Sequence, residues 1–239
     1  IAAAGSEEQK AEYLPKIGSG EFRFGVALSE RVGARDDAGM RVAGDKITGT
    51  ALFALEADEA SHMLVPGPDG QLHIVLIAAS AVTTANMNTI DRSRNFTEIT
   101  FDGADAVALS GENKLGLAVD QMIAAGRVLL AADTLGASQY MLDAAVAYAK
   151  EREQFGRVIG SFQAVKHMCA EMAAKLEPSR ALVWHAAYAW QSGDEEGALL
   201  SCLVKSHLSD AGTFIARTST EVHGGMGFTD LVGLHYWFK

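Results

Sequence analysis

The chain has 239 residues, 49% of them hydrophobic, and a formal net charge of −10. That length buries one large core or two modest ones, and the acidic balance repels phosphate backbones, which excludes nucleic acid as a partner. No apolar run is long enough to span a bilayer. Cys169 and Cys202 stand too far apart for a disulfide framework or a zinc site, so they read as two buried thiols in a reducing cytoplasm and no metal is expected.

Residues 1–20 read as the end of a helical region. Ser6 and Gln9 make a capping box, with Glu7 and Glu8 in the first turn. Pro15 and Gly18-Ser19-Gly20 are expected to end the helix. The opening Ile1-Ala2-Ala3-Ala4-Gly5 has no charged leader and no initiator Met. The last residues, Tyr236-Trp237-Phe238-Lys239, carry no stop signal. Both ends read as cut from a longer chain.

Residues 21–112 carry short β-like runs with turn residues between them. The runs are Phe22 to Leu28, Arg41-Val42, Lys46 to Thr48, Met63 to Val65, Leu72 to Ile77, Val82 to Met87 and Phe96 to Phe101. Pro66-Gly67-Pro68-Asp69-Gly70 is a strong turn signal. The spacing predicts a β-sandwich or barrel. No long helix separates the runs, which disfavours a parallel βαβ sheet.

From residue 115 the period becomes helical. Val119, Met122, Ile123, Leu129, Leu130, Leu135, Met141, Leu142 and Val146 are expected on one buried face, to about Glu151. After a break at Phe155-Gly156, Ser161 is the expected cap of a second helix carrying Phe162, Val165, Cys169, Met172 and Leu176. Pro178 should kink or divide it. Asp194, Glu195 and Glu196 are expected in the first turn of a third helix. Its stripe is Leu200, Leu203, Val204, Leu208, Ala211, Phe214 and Ile215, and it ends at Gly224-Gly225. The predicted class is α+β multidomain: a helical stub (1–20), a β-barrel or sandwich middle domain (21–112) and an antiparallel helical bundle (113–239).

Two stretches carry chemistry. Gly224-Gly225-Met226-Gly227-Phe228 follows a helix rather than a strand, so it is a weak dinucleotide fingerprint. It reads as a helix cap whose bare backbone also lets a ligand approach. No Gly-x-Ser-x-Gly elbow exists, which removes support for a hydrolase. Arg152-Glu153-Gln154-Phe155-Gly156 reads either as a solvated charged loop or as an anion site, since a guanidinium grips a diphosphate and an aromatic ring stacks on a base.

Arg152 to Gly156, followed by Gly160-Ser161-Phe162-Gln163-Ala164-Val165-Lys166-His167, resembles the flavin-binding signature of acyl-CoA dehydrogenases. Gln9-Lys10, Tyr13-Leu14-Pro15 and Gly20-Glu21 resemble the approach to that family's β-domain. His223 to Thr229 resembles its late glycine turn. The matches run in the family's order over nearly the whole chain.

The resemblance implies FAD as cofactor, an acyl-CoA thioester as substrate, and α,β-desaturation with hydride transfer to flavin. It also implies an electron-transfer flavoprotein as acceptor and a homo- or hetero-oligomer, dimer or tetramer. Arg152, Gln154 and Phe155 match the stretch that holds FAD diphosphate and adenine across a subunit interface. Phe162 and Gln163 continue it, and Gly224 and Gly225 match the backbone approach to the same FAD. Ser29 and Phe53 match positions at the flavin ring. Arg127 matches an Arg near the acyl-CoA pocket, although an ion pair would equally explain it.

Arg31-Val32-Gly33-Ala34-Arg35-Asp36 stands where the family usually has a Pro and a Gly-Ser-Asp turn, and three single positions also depart from the pattern. Leu55 stands where a hydroxyl is usual, and Glu221 stands where a Gln is usual beside the diphosphate. Gly126 occupies one of the two places where the family carries its catalytic Glu. No catalytic base is identified, which leaves a second expectation open: a base-less partner subunit of a heteromeric enzyme.

Overall fold

The computed structural model describes residues 1–28, 39–91, 94–111 and 117–238. They fall into two compact units, one from Ile1 to Asp120 and one from Gln121 onward.

The first unit opens with α1 (Glu7–Gly18). The capping box forms as expected: Gln9 N–H donates to Ser6 Oγ at 3.2 Å, and Ser6 N–H to Gln9 Oε1 at 3.0 Å. Pro15 does not end this helix but lies inside it. It removes one donor, while Ser19 N–H on the Pro15 carbonyl and Phe22 N–H on the Lys16 carbonyl hold the turn that follows. Gln9 Nε2 also donates to the Ala108 carbonyl at 2.8 Å, tying the helix to the sheet.

The strands are β1 (Phe24–Val26), β2 (Gly39–Ala43), β3 (Lys46–Leu55), β4 (His62–Pro66), β5 (Leu72–Leu76), β6 (Val82–Asn86) and β7 (Phe96–Ala108). Pairings run β3–β1–β4–β5–β7 and return from β7 to β3, closing a five-stranded ring, with β2 added to β3 and β6 to β7. This is the barrel read from the strand spacing. β1 and β4 nevertheless pair in parallel, with β2 and β3 between them in the chain rather than a helix.

A bulge sets the faces of β7. Thr97, Ile99 and Phe101 are buried, then Ala104 and Ala106. The parity changes at Gly103, where φ is +69° and the register against β3 shifts. The core is Met40, Ile47, Ala51, Met63, Val65, Val75, Ile99 and Phe101.

The second unit is a helical bundle: α2 (Leu117–Glu151), α3 (Gln163–Ser192), α4 (Gly197–His223) and the short α5 (His235–Phe238). Met172, Leu176, Val204, Leu208 and Ile215 are fully buried in a shared core. Burying each such side chain stabilises by about 2 kcal/mol. Gly212 lets α4 cross α2 closely, since a Cβ there would sit 2.6 Å from Thr134 Cγ2.

Several helical details differ from the expectation. Leu129 and Leu130 are exposed, and Val128 and Ala131 face the core instead. α2 is apolar nearly all round, so its pattern leaves the inward face ambiguous. Leu203 is likewise exposed. α3 runs unbroken through Pro178, because buried Met172, Leu176, Ser179 and Val183 anchor it on both sides. Its cap is Phe162, since the Ser161 hydroxyl donates to the Val158 carbonyl in a preceding 3-10 turn. Asp194 to Glu196 precede α4 and form a turn in which Asp194 Oδ1 accepts from Glu196 N–H. Cys169 is half-buried, and burial pushes its thiol pKa up. Cys202 is exposed, against the expectation of two buried thiols. Among the described residues no helix is long and apolar enough to cross a membrane, and no cluster could hold a metal ion.

Candidate functional site

In the first unit the notable position is Phe53. β3 gains one residue against β7 between Ala51 and Ala54. Phe53 sits in that bulge at φ +53° and is 46% exposed, its ring edge-on to Phe96 at 6.2 Å. A left-handed aromatic residue is rare and costs about 1–3 kcal/mol, which a bulge tolerates when it re-aims a side chain. Leu55, two residues on, is exposed on the same strand. Ser29 and the segment Arg31 to Asp36 lie outside the described residues.

In the second unit, α2 ends in a miniature hairpin. β8 (Glu153–Gln154) pairs with β9 (Arg157–Val158), Gln154 opposite Arg157. The base is closed by Arg152 N–H on the Tyr148 carbonyl and Ile159 N–H on the Arg152 carbonyl, both 2.8 Å. The two tip residues, Phe155 (φ +56°) and Gly156 (φ +74°), are both left-handed, as a two-residue hairpin requires. Asn or Asp normally precedes that Gly. A Phe there is strained, and it is 93% exposed. Neither packing nor backbone preference within the chain accounts for it.

Phe162 stands at the start of α3, edge-on to Phe155 at 6.2 Å. The Arg157 guanidinium covers its ring at 4.0 Å. Gln163 Nε2 donates to His167 Nε2 at 3.1 Å, one turn along α3. Arg152 is exposed, and its side chain has no ion pair or hydrogen bond among the described residues. Gly160 holds this segment against α2, since a Cβ there would lie 2.8 Å from the Ala149 carbonyl oxygen.

The glycine turn follows α4. Gly224 to Phe228 form a 3-10 turn, with Gly224 at φ +57°. A Cβ on Gly227 would lie 2.6 Å from the Thr220 carbonyl oxygen, so packing requires that glycine. A Cβ on Gly225 would meet nothing within 4 Å, and its φ is ordinary. Nothing among the described residues demands glycine at 225.

The turn and the hairpin stand at one end of the bundle. His223 stacks on Tyr148, 4.6 Å between centroids, one turn before Arg152. The unit thus gathers Arg152, Gln154, Phe155, Phe162 and Gln163 in one segment, and the stack links that segment's base to His223, the residue before Gly224. Arg127 lies elsewhere, half-buried on α2, with no ion pair among the described residues. The ion-pair explanation for it therefore finds no partner there. Glu221 is exposed and also lacks an ion pair among the described residues. Arg157 and Tyr148 escaped the sequence reading. The Phe-Gly hairpin tip was the available signal for Arg157, since a two-residue loop sets position 157 opposite 154.

Residues 116–239 match the family model described as acyl-CoA dehydrogenase, C-terminal domain. An acyl-CoA dehydrogenase of Bacillus subtilis is 30% identical over 94% of this chain and 64% of its own length. A protein of Acetobacterium woodii named caffeyl-CoA reductase-Etf complex subunit CarC is 27% identical over 95% of this chain and 65% of its own. The crystal structure of glutaryl-CoA dehydrogenase from Mycobacterium smegmatis superposes with a TM-score of 0.85 at 26% identity, covering all of this chain and 65% of that one. The chain therefore spans under two thirds of these relatives' length. With the ordered motifs and the barrel-plus-bundle architecture, the match establishes that this chain belongs to the acyl-CoA dehydrogenase family.

Proposed function

We propose that the protein is an FAD-dependent acyl-CoA dehydrogenase that desaturates an acyl-CoA thioester between its α and β carbons. The observation that carries the reading is Gly225, a glycine with open space around it and no conformational need, together with a strained, solvent-facing Phe155. Both features suit a ligand approached closely by backbone and stacked by a ring.

On this reading Arg152 and Gln154 hold the FAD diphosphate, with Phe155 at the adenine, across a subunit interface. Phe162 and Gln163 support them, and Gly224 and Gly225 admit the same diphosphate. Ser29 and Phe53 attend the flavin ring, and Arg127 serves the acyl-CoA. Bound FAD would supply the hydride acceptor. Leu55 packs on the ring without donating a hydrogen bond. An electron-transfer flavoprotein would accept the electrons; the name of the Acetobacterium relative, a subunit of a reductase-Etf complex, supports that partner. A dimeric or tetrameric assembly in the cytoplasm completes the proposal, with residues 1–20 ending a preceding helical domain, 21–112 as middle domain and 113–239 as C-terminal domain.

A second reading is a partner subunit without its own base. Gly126 and Glu221, which has no ion pair among the described residues, favour it, since glycine moves no proton and a carboxylate repels a diphosphate. Anaerobic addition of a panel of acyl-CoA thioesters to the purified full-length homomer separates the two. Bleaching of the flavin band supports the dehydrogenase. A flavin spectrum unmoved by every thioester leaves the partner-subunit reading.

A further inference from the structure

The proposed cofactor segments leave two different helices, yet they must address one diphosphate. Gly224 and Gly225 have no side chains with which to anchor themselves. Residues 151–157 are all exposed. Something behind both segments must fix their spacing.

Tyr148 and His223 occupy that place. Their rings stack at 4.6 Å with 29° between planes. His223 is 3% exposed. Its Nδ1–H donates to the Ser219 carbonyl at 2.7 Å, which sets both tautomer and ring plane. The Tyr148 carbonyl accepts from Arg152 N–H, and His223 directly precedes Gly224, whose φ is positive. Each ring is thus within one turn of the segment it would steady.

We infer that His223 is a positioning residue for the cofactor: through its stack on Tyr148 it holds the Gly224–Gly225 backbone in register with Arg152. The inference rests on the FAD reading above. Gly227 packed under Thr220 pins the far end of the turn, and the His223 ring pins the near end.

The test uses the full-length protein and the variants Tyr148→Ala, His223→Ala, the double variant and the ring-preserving His223→Phe. FAD affinity is measured by titrating the apoprotein, and hydrogen exchange is followed in segments 153–158 and 224–228. Tyr148→Ala should weaken FAD about tenfold, the scale of one lost aromatic pair. It should also speed exchange in both segments while the helix interiors stay protected. His223→Phe should bind FAD within about threefold of the wild type, because the stack survives. The double variant should bind FAD no more weakly than the worse single one. Exchange that quickens only beside the altered residue would overturn the inference, as would unchanged FAD affinity in Tyr148→Ala. If Arg152→Ala loses FAD while Tyr148→Ala does not, the cofactor reading stands and this inference falls. If the wild type takes up no FAD, both fall.

Discussion

The guanidinium of Arg157 lies 4.0 Å from the centre of the Phe162 ring, clamping the hairpin after α2 onto the first residue before α3. The ring is half-buried, and a cation over such a ring stabilises by about 0.5–1 kcal/mol. Arg157→Ala should therefore leave the bundle folded and weaken FAD about three- to fivefold by loosening the Phe155–Phe162 pair. Parallel thermal melts and FAD titrations check it. A drop in melting temperature without any change in affinity would give Arg157 a purely structural role.

The three glycines after α4 should respond differently. Gly227→Ala drives a Cβ to 2.6 Å from the Thr220 backbone, so it should cost about 1–3 kcal/mol of stability. Gly224→Ala strains a residue at φ +57° and ψ −136°, outside the left-handed helical well, and should cost about 1–3 kcal/mol. Gly225→Ala meets no atom of the described residues within 4 Å, so its stability should move by less than about 0.5 kcal/mol. Its FAD affinity should nevertheless fall more than about tenfold, because the methyl occupies the ligand's approach. Urea unfolding paired with FAD titration separates the three.

His62 predicts an acid limb in the stability of the first unit. It is 6% exposed, stacked on Phe24 at 4.9 Å, tilted on Phe22 at 4.4 Å and edge-on to Tyr13 at 6.0 Å. Burial lowers its pKa from the ordinary 6.5; Glu12 opposes the shift and Lys16 adds to it. The unfolded chain therefore takes up the proton first. Stability is intact above 6.5 and declines as pH falls from there through the folded-state pKa. His62→Phe should remove this part of the decline. Unfolding free energies of both proteins at about pH 7.5 and about pH 5.5 measure it. An equal acid loss in the variant would assign the limb to other groups.

Gly126 tests the second functional reading. A Cβ there meets nothing within 4 Å, and the residue lies inside α2. Gly126→Glu should raise stability by about 0.5 kcal/mol through helix propensity. If the chain is a base-less subunit, the new carboxylate beside Arg127 should confer flavin bleaching by acyl-CoA on a homomer that otherwise shows none. No gain would place any missing function elsewhere than in the base at 126.

Much of this was legible in the sequence, for local reasons. Ser6 and Gln9 satisfy each other within one turn, so their box was readable in advance. The strands announced themselves by turn residues, and the ordered motifs by spacing. What failed was tertiary. Pro15 and Pro178 should break helices by local rules, but neighbouring hydrogen bonds in one case and core packing in the other carry the helix through. Leu129 and Leu130 are as apolar as Val128 and Ala131, and only the neighbouring helices decide which pair turns inward. The bulge that turns Phe53 outward depends on a register shift against β7. The Tyr148–His223 stack joins residues far apart in sequence, which no local pattern signals.

The most direct test of the account is the visible absorbance spectrum of the purified full-length protein and of its Arg152→Ala variant. The account predicts flavin bands with FAD close to one per chain in the wild type and their loss in the variant. A colourless wild-type protein that stays colourless after incubation with FAD would contradict it.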